Sequence, residues 1–315
     1  MISVLSDKHF HDEAAAYRFV ENRVWPEGPV CPHCGGVERI SKMKGKSTRI
    51  GTYKCYQCRK PFTVKIGTIF EASHVPLRHW LQAIFLMSSS KKGISANQLS
   101  RTLGCTLKTA WFIGHRIREA MRAGDLAPMG STGGIVEMDE TYHGKVAVLR
   151  DVRTDGRPYT KKGKTGPSNK RAIVSLVERG GTVRSFHIEH ADKSTVNVII
   201  SKNIAREARL HTDESRIYTD AKIHVLRHDT VRHASGEYVR GDVHTNTIES
   251  VFSVFKRGMR GTYQHCAEKH LHRYLAEFDF RYNNRIALGV NDLGRAEQAL
   301  KGIVGKRLTY RTTNQ

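Results

Sequence analysis

Long apolar runs are missing from this chain. No segment approaches the roughly 18 consecutive apolar residues of a membrane-spanning helix, and Met1-Ile2-Ser3-Val4 lacks the charged start and apolar core of a secretory signal. The expectation is an intracellular protein, cytoplasmic and associated with the nucleoid, with no membrane partner. Acidic residues are scarce too: 30 Asp and Glu stand against 52 Lys and Arg, which leaves a net charge of +22 and a pI near 9.9. Solubility does not require such an excess, so it points to a polyanionic partner, nucleic acid first. The shortage is sharpest between residues 39 and 118, where sixteen Lys or Arg face one acid, Glu71. The N-terminal third therefore carries the electrostatic footprint. Cysteine is sparse but patterned: six occur, four of them in two Cys-x-x-Cys pairs, which fits a reduced compartment in which thiolates bind metal rather than pair. With 315 residues the chain has room for one large domain with appendages, or for two to three domains.

Cys31-Pro-His-Cys34-Gly-Gly and Cys55-Tyr-Gln-Cys58, with 20 residues between the pairs, have zinc-ribbon spacing. Each pair sets two thiolates on a tight turn, and the glycines after Cys34 let backbone amides approach the sulfurs. Four thiolates close a tetrahedron around a structural Zn²⁺ and leave no position for a catalytic water. Four buried, unligated cysteines are the alternative, and His33 is a bystander. Lys42, Lys44, Lys46, Arg49 and Lys54 decorate the hairpin between the pairs and are expected on DNA phosphates, unless the ribbon serves protein contacts instead. Beyond Val75-Pro76, the residues Leu77, Trp80, Leu81, Ile84, Phe85 and Met87 predict a buried helix that ends at Ser88 to Gly93. Ile94 to Trp111 then reads as a helix-turn-helix with a glycine turn at Gly104 and Thr106 capping the second helix. That helix is expected to present Lys108, Thr109, Arg116 and Arg118 to a groove, with Leu107, Ala110, Trp111 and Ile117 packed inward. A plain helical bundle is the alternative.

After a loop over residues 125–134, Ile135-Val-Glu137-Met-Asp139-Glu140 reads as a strand that runs into acids. Arg150 to Arg171 carries eight Lys or Arg without apolar rhythm and is expected to be a mobile, DNA-touching loop. Residues 172–177 and 183–188 predict a hairpin across Gly180-Gly181, followed by a helix with Val196, Ile199, Ile200 and Ile204 on one stripe. Arg216 to Asp220 is expected to be a short strand that also ends in an aspartate. The series makes the region a mixed α/β domain. Three parts follow: a zinc ribbon with a short N-terminal helix (1–70), a helix-turn-helix region (71–125) and the α/β domain (130–315).

The richest stretch is His244 to Gly258. Ile248, Phe252, Phe255 and Met259 recur as the core stripe of a helix, while Asn246, Glu249, Ser253 and Lys256 recur on a neighbouring stripe. Alone, such a stripe reads as a solvated face. Asp139 in its Met-Asp-Glu-Thr-Tyr setting, Asp220 in Tyr-Thr-Asp, and this helix with Lys256, in that order behind a zinc ribbon, resemble the DDE transposases of bacterial insertion sequences. The similar branch carries a zinc ribbon before a ribonuclease-H-like core, and the likeness covers nearly the whole chain.

The resemblance implies an α/β, ribonuclease-H-like mixed sheet with flanking helices, whose first and fourth strands lie side by side so that Asp139 and Asp220 meet. A helix brings the third ligand. Hard Mg²⁺ ions, with Mn²⁺ able to substitute, prefer oxygen ligands and in pairs clamp both oxygens of an in-line phosphoryl displacement. The implied reaction is cleavage at the element's ends followed by attack of the freed 3′-hydroxyl on target DNA. The implied partners are double-stranded DNA, as terminal inverted repeats and as target, and further copies of the chain in a homo-oligomer. For the third ligand two residues stay open: Glu249, favoured because Lys256 follows it by seven positions as in the family, and Asn246, one helical turn earlier, since some members use Asn. Lys256 is expected on a phosphate near the scissile bond, with Arg257 beside it on DNA.

Strand alternation puts Glu137 on the face of Asp139 and turns Glu140 away. His211, His224, His228, His233 and His244 lack zinc spacing and read as surface or phosphate-contacting residues. Asp213 and Asp229 read as solvated loop acids, while Cys105 and Cys266 need no chemical role. Leu271, Tyr274, Leu275, Phe278 and Tyr282 read as core, with Arg273, Arg281 and Arg285 near phosphates. A zinc-ribbon and helix-turn-helix regulator, or a ribonuclease-H-like nuclease unconnected with a mobile element, are the competing functions.

Overall fold

The computed structural model describes residues 3–124, 126–147 and 169–309. Of the expected basic loop, the part over 150–168 lies outside the described residues; Lys170 and Arg171 open a strand instead. The chain forms two compact units, Met1–Arg122 together with Val290–Gln315, and Ala123–Gly289. Among the described residues, no helix is long and apolar enough to cross a membrane.

In the first unit, Asp12 caps α1 (Glu13–Val24) by accepting from the amide of Ala15. A small antiparallel sheet follows, in the order β1 (Ile40–Lys42), β2 (Tyr53–Cys55), β3 (Pro61–Phe62). Phe62 and the buried Cys31 and Cys55 form its core, against which Trp25 and Tyr53 pack, Trp25 edge to face and Tyr53 stacked on Phe62. The predicted helix after Pro76 is α2 (Leu77–Ser89), with Leu77, Trp80, Leu81, Ile84 and Met87 buried. Pro76 has no side-chain acceptor for its first turn. Glu13 reaches across from α1 instead and accepts from the amides of Leu77 and Arg78 at 2.7 and 3.1 Å. Then come α3 (Ala96–Leu103) and α4 (Leu107–Met121), joined by Gly104 in the left-handed conformation (φ +64°) and by Thr106, whose hydroxyl caps α4. The chain's last helix, Asp292–Lys301, belongs to this unit and not to the α/β domain: Arg295 donates to the carbonyl of Ser88 in α2 at 2.9 Å.

The second unit holds β4 (Ile135–Lys145), β5 (Lys170–Glu178), β6 (Val183–Ile188), α5 (Lys193–Asn203), β7 (Arg209–Asp213), β8 (Arg227–Val231), a two-residue pair β9 (Val239–Arg240) and β10 (Val243–His244), then α6 (Asn246–Gly258) and α7 (Leu271–Asn283). The sheet order is β6-β5-β4-β7-β8, with β4, β5 and β6 antiparallel and β4, β7 and β8 parallel. This is the ribonuclease-H-like mixed sheet expected of the chain, with the first strand beside the fourth. Helices cover both faces, so the strands alternate between two cores rather than between core and water. Val136, Met138, Val174 and Leu176 pack against α5, whereas Ile173 and Val177 point the other way onto α6 and α7. That alternation also sorts the acids of β4. Glu137, Asp139 and Thr141 face α6, and Glu140 faces Tyr218 on the α5 side, its carboxylate accepting from the phenol at 2.5 Å.

Candidate active site and metal centre

In the parallel pairing of β4 with β7, Ile135 aligns with Arg209, Val136 with Leu210 and Glu137 with His211. Two residues further along the same register, Asp213 comes beside Asp139 on the same face, Asp213 at the carboxyl end of β7 and Asp139 in the middle of the longer β4. Adjacent strands lie about 4.8 Å apart, so two carboxylates meet there without any loop having to hold them. The second aspartate beside Asp139 is thus Asp213, which corrects two readings of the sequence. Asp220 is not on a strand: Arg216–Tyr218 is a single 3₁₀ turn, and Asp220 begins the next one, ion-paired with Lys193 at 2.7 Å. Asp213 is not a solvated loop acid but ends β7 in a half-buried position. The misreading has a physical cause. The inner strand β7 contains His211 and Thr212, fully buried yet polar, so it carries no apolar alternation, whereas the run from Arg216 to Asp220, with its β-prone Ile217 and Tyr218, is not a strand. The available signal was position: residues 208–213 are one strand length, directly after a helix, ending in an acid.

The third wall is α6. Its stripe Ile248, Phe252, Phe255 and Met259 is buried, which turns Glu249, Ser253 and Lys256 toward the strand ends. Together with Asp139, Glu140, Thr141, Asp213 and His233 they line one cavity of about 510 Å³, to which Arg257 and Arg260 also contribute. Asn246 is exposed and does not line it. Glu249 accepts from the hydroxyl of Thr245 at 3.3 Å. Asp139 accepts from the amide of Glu140 at 2.7 Å. Burial first, then the charges of Glu140, Asp213 and Glu249, pushes the Asp139 carboxyl up to about 8. Burial likewise raises Asp213. Carboxylates crowded in this way suit a divalent cation, whose charge would offset their mutual repulsion.

What holds α6 in place is Glu137. Thr245 gives α6 no side-chain cap. The Glu137 carboxylate, fully buried on β4, accepts from the amides of Thr247 and Ile248 at 2.9 and 3.0 Å and from the Thr247 hydroxyl at 2.8 Å. Arg179 donates to the same carboxylate at 2.6 Å and to the carbonyls of Asp242 and His244 at 2.6 and 3.0 Å. A single residue, Met138, separates this anchor from Asp139 along β4, so the helix that carries Glu249 is referenced directly to the strand that carries the first aspartate. His211, expected at the surface, is buried beside Arg179, and burial lowers its pKa to about 4. His233 does reach the cavity, a role that its scattered position in the sequence does not disclose.

In the ribbon, the four sulfurs of Cys31, Cys34, Cys55 and Cys58 lie within 4.8 Å of one another. Cys31 to Cys58 is 3.6 Å and Cys34 to Cys55 is 3.7 Å. A tetrahedron with Zn–S bonds of about 2.3 Å has edges of about 3.8 Å, so the sulfurs stand where a zinc ion needs them. The amide of Cys58, then that of Gln57, donates to Cys55 and lowers its thiol to about 7. The donor set, soft thiolates already spaced for a closed site, fits structural Zn²⁺ and no other chemistry expected of this chain.

The residues expected on DNA divide sharply. Lys44, Lys46 and Arg49 are exposed on the β1–β2 connection, and Lys42 there pairs with Glu21 at 3.5 Å. Lys108 is exposed at the start of α4, while Thr109 is tied to the capping hydroxyl of Thr106 at 2.9 Å. Arg116 and Arg118 correct the reading: each is only 4% exposed. Arg116 donates to the carbonyls of Ile69 and Glu71, both at 2.7 Å, and of Leu308 at 3.1 Å, binding loops to α4 instead of facing a groove. Leu107, expected inside, is 49% exposed. The middle of α4 is enclosed all round, so polar spacing along it does not report an outer face.

The chain is 29% identical over 279 residues to an uncharacterized protein in transposable element ISH50 of Halobacterium salinarum, a match that covers 87% of this chain and 92% of that one. Among solved structures it is similar to the Mos1 strand transfer complex (12% identity, 67% of this chain and 77% of the other, TM-score 0.20) and to a pre-cleavage Mos1 transpososome (11% identity, 64% and 75%, TM-score 0.19). Residues 11–61 match the transposase zinc-ribbon domain, and residues 131–283 match the ISXO2-like transposase domain. Ribbon and sheet thus both answer to one transposase family, in the order in which the chain carries them, and the chain belongs to that family of zinc-ribbon, ISXO2-like transposases.

Proposed function

We propose that this transposase binds the ends of its insertion sequence and catalyses Mg²⁺-dependent cleavage and strand transfer at Asp139, Asp213 and Glu249. The observation that carries the reading is the cavity itself: it is lined by carboxylates from two neighbouring strands and one helix, together with the cations Lys256, Arg257 and Arg260. When bound, Mg²⁺ supplies charge neutralisation and acidifies a water. Asp139, Asp213 and Glu249 are the residues that would hold it. Lys256 and Arg257 set positive charge where a phosphodiester enters, with Lys256 acting as a point charge and not as a proton donor. In cleavage, water attacks phosphorus and the 3′-oxygen leaves as a hydroxyl. In strand transfer, that hydroxyl attacks a target phosphodiester, whose own 3′-oxygen leaves. Neither step requires a bond to the protein. The exposed cations of the β1–β2 connection and Lys108 contribute sequence-independent affinity for the duplex.

Strand transfer in vitro, with the purified protein and DNA carrying the element's ends, tests this. Asp213→Asn and Glu249→Gln are expected to lower the rate by at least about a hundredfold while still binding the ends, whereas Asp220→Asn and Asn246→Ala stay near the parent rate. Full activity in Asp213→Asn would overturn the assignment. Hydrolysis without joining would favour a nuclease.

A further inference from the structure

A second cavity, of about 270 Å³, adjoins the acidic one and shares Lys256 and Arg260 with it. Its remaining walls are His143 and Lys145 from the end of β4 and Lys170 from the start of β5, where the two antiparallel strands leave the sheet together, with Tyr142 beside them. No carboxylate among the described residues lines it. Among the described residues, none of Lys145, Lys170, Lys256 and Arg260 is in an ion pair, although surface lysines and arginines elsewhere in this unit, such as Lys193 and Arg209, have acidic partners. Four cations without counter-ions among the described residues repel one another unless a ligand supplies the negative charge. The imidazole of His143 feels this field: burial, then Arg171, Arg260 and Lys256, lowers its pKa.

We propose that this cavity is a phosphodiester subsite that takes a backbone phosphate of the DNA strand flanking the bond held at the carboxylates. The continuity of the two cavities across Lys256 and Arg260 supports it, because one strand laid through both would meet divalent-ion ligands first and four cations next. The contact is to phosphate and carries no sequence information, since the wall is made of flexible ammonium groups without a planar amide or paired acceptors to read a base edge. This inference rests on the reading of the acidic cavity as the cleavage site.

The experiment is residue-resolved lysine acetylation of the zinc-loaded full chain, with and without a fluorescein-labelled duplex of arbitrary sequence. Ca²⁺ replaces Mg²⁺ so that binding is measured without turnover. Lys145 and Lys170 are expected to become protected by the duplex and to be released by high salt, while Lys202, exposed on α5, stays labelled throughout. In titrations with the same duplex, the Lys145→Ala/Lys170→Ala variant is expected to lower the slope of log affinity against log salt by about one to two. Lys145→Arg/Lys170→Arg should restore it, and Lys202→Ala should leave it unchanged. Unprotected Lys145 and Lys170 with an unchanged slope would overturn the subsite even if the parent protein cuts DNA. Protection and a reduced slope in a parent protein that does not cut in Mg²⁺ would leave the subsite standing and count against the cleavage reading.

Discussion

The ribbon's four sulfurs come from two turns that a short sheet brings together, and they already stand at the edge lengths of a zinc tetrahedron. The three carboxylates of the cleft come instead from β4, β7 and α6, and they are held by a buried frame that is not itself acidic at its surface: Glu137 and Arg179 beneath them, apolar stripes behind. Soft ligands that must close around one ion can be carried on a local motif. Hard ligands that must leave room for waters and a phosphodiester need walls that do not collapse onto the ion, and only separate elements of a packed domain supply such walls. A structural zinc would thus help make its own fold, whereas the divalent ion proposed for the cleft would be received by a fold made without it.

The largest expected effect is therefore in the ribbon. Chelation, or Cys55→Ser, is expected to remove zinc binding worth on the order of 10 kcal/mol or more and to unfold the ribbon locally. Hydrogen exchange should show lost protection over residues 31–62 and unchanged protection in β4, β5 and β7. If protection falls equally in both units, the contrast between the two sites is wrong.

Next comes the frame of the cleft. Glu137→Ala leaves the half-buried Arg179 without its carboxylate beside an uncapped helix and is expected to cost about 3 kcal/mol in thermal or denaturant unfolding. The equivalent device in the first unit, Glu13 capping α2, is only half-buried, and Glu13→Ala is expected to cost about 1 kcal/mol. Comparable losses in the two variants would show that burial is not what makes the Glu137 anchor strong.

A smaller effect concerns the charge crowding. Because the folded Asp139 carboxyl sits at about 8, above its ordinary value of 3.8, the stability it contributes is complete below 3.8 and is lost as pH rises through about 8. Metal-free Asp139→Asn is thus expected to be more stable than the parent at about pH 9, on the order of 1–3 kcal/mol, and to lose the parent's stabilisation by Mg²⁺. A parent protein whose metal-free stability rises between these pH values would contradict the account. Smallest of all, Lys44→Ala or Arg49→Ala should each flatten the salt dependence of duplex binding by about one, while Arg116→Ala should lower stability and leave that slope alone.

Where the sequence was legible, the reason is local. The cysteine pairs, the Gly104 turn with Thr106, the buried stripe of α6 and the two-sided run of β5 follow from spacing within a few residues, and each stands where it was expected. Where it was not, burial had overruled polarity. β7 is a central strand whose His211 and Thr212 are enclosed, so its terminal Asp213 looked like a loop acid, and the exposed-looking Arg116 and Arg118 of α4 are buried, Arg116 being satisfied by carbonyls inside the unit.

By itself the sequence determined the composition of this protein's chemistry: four thiolates for a closed zinc site, a surplus of cations for a polyanion, and a helix that offers one carboxylate and one lysine on a common stripe. These are properties of residue type and short-range period, which need no partner element to exist. Which aspartate stands beside Asp139, and which cations stay at the surface, was decided only in tertiary structure. Strand register and enclosure are set by pairing between segments far apart in the chain, and no local pattern encodes them.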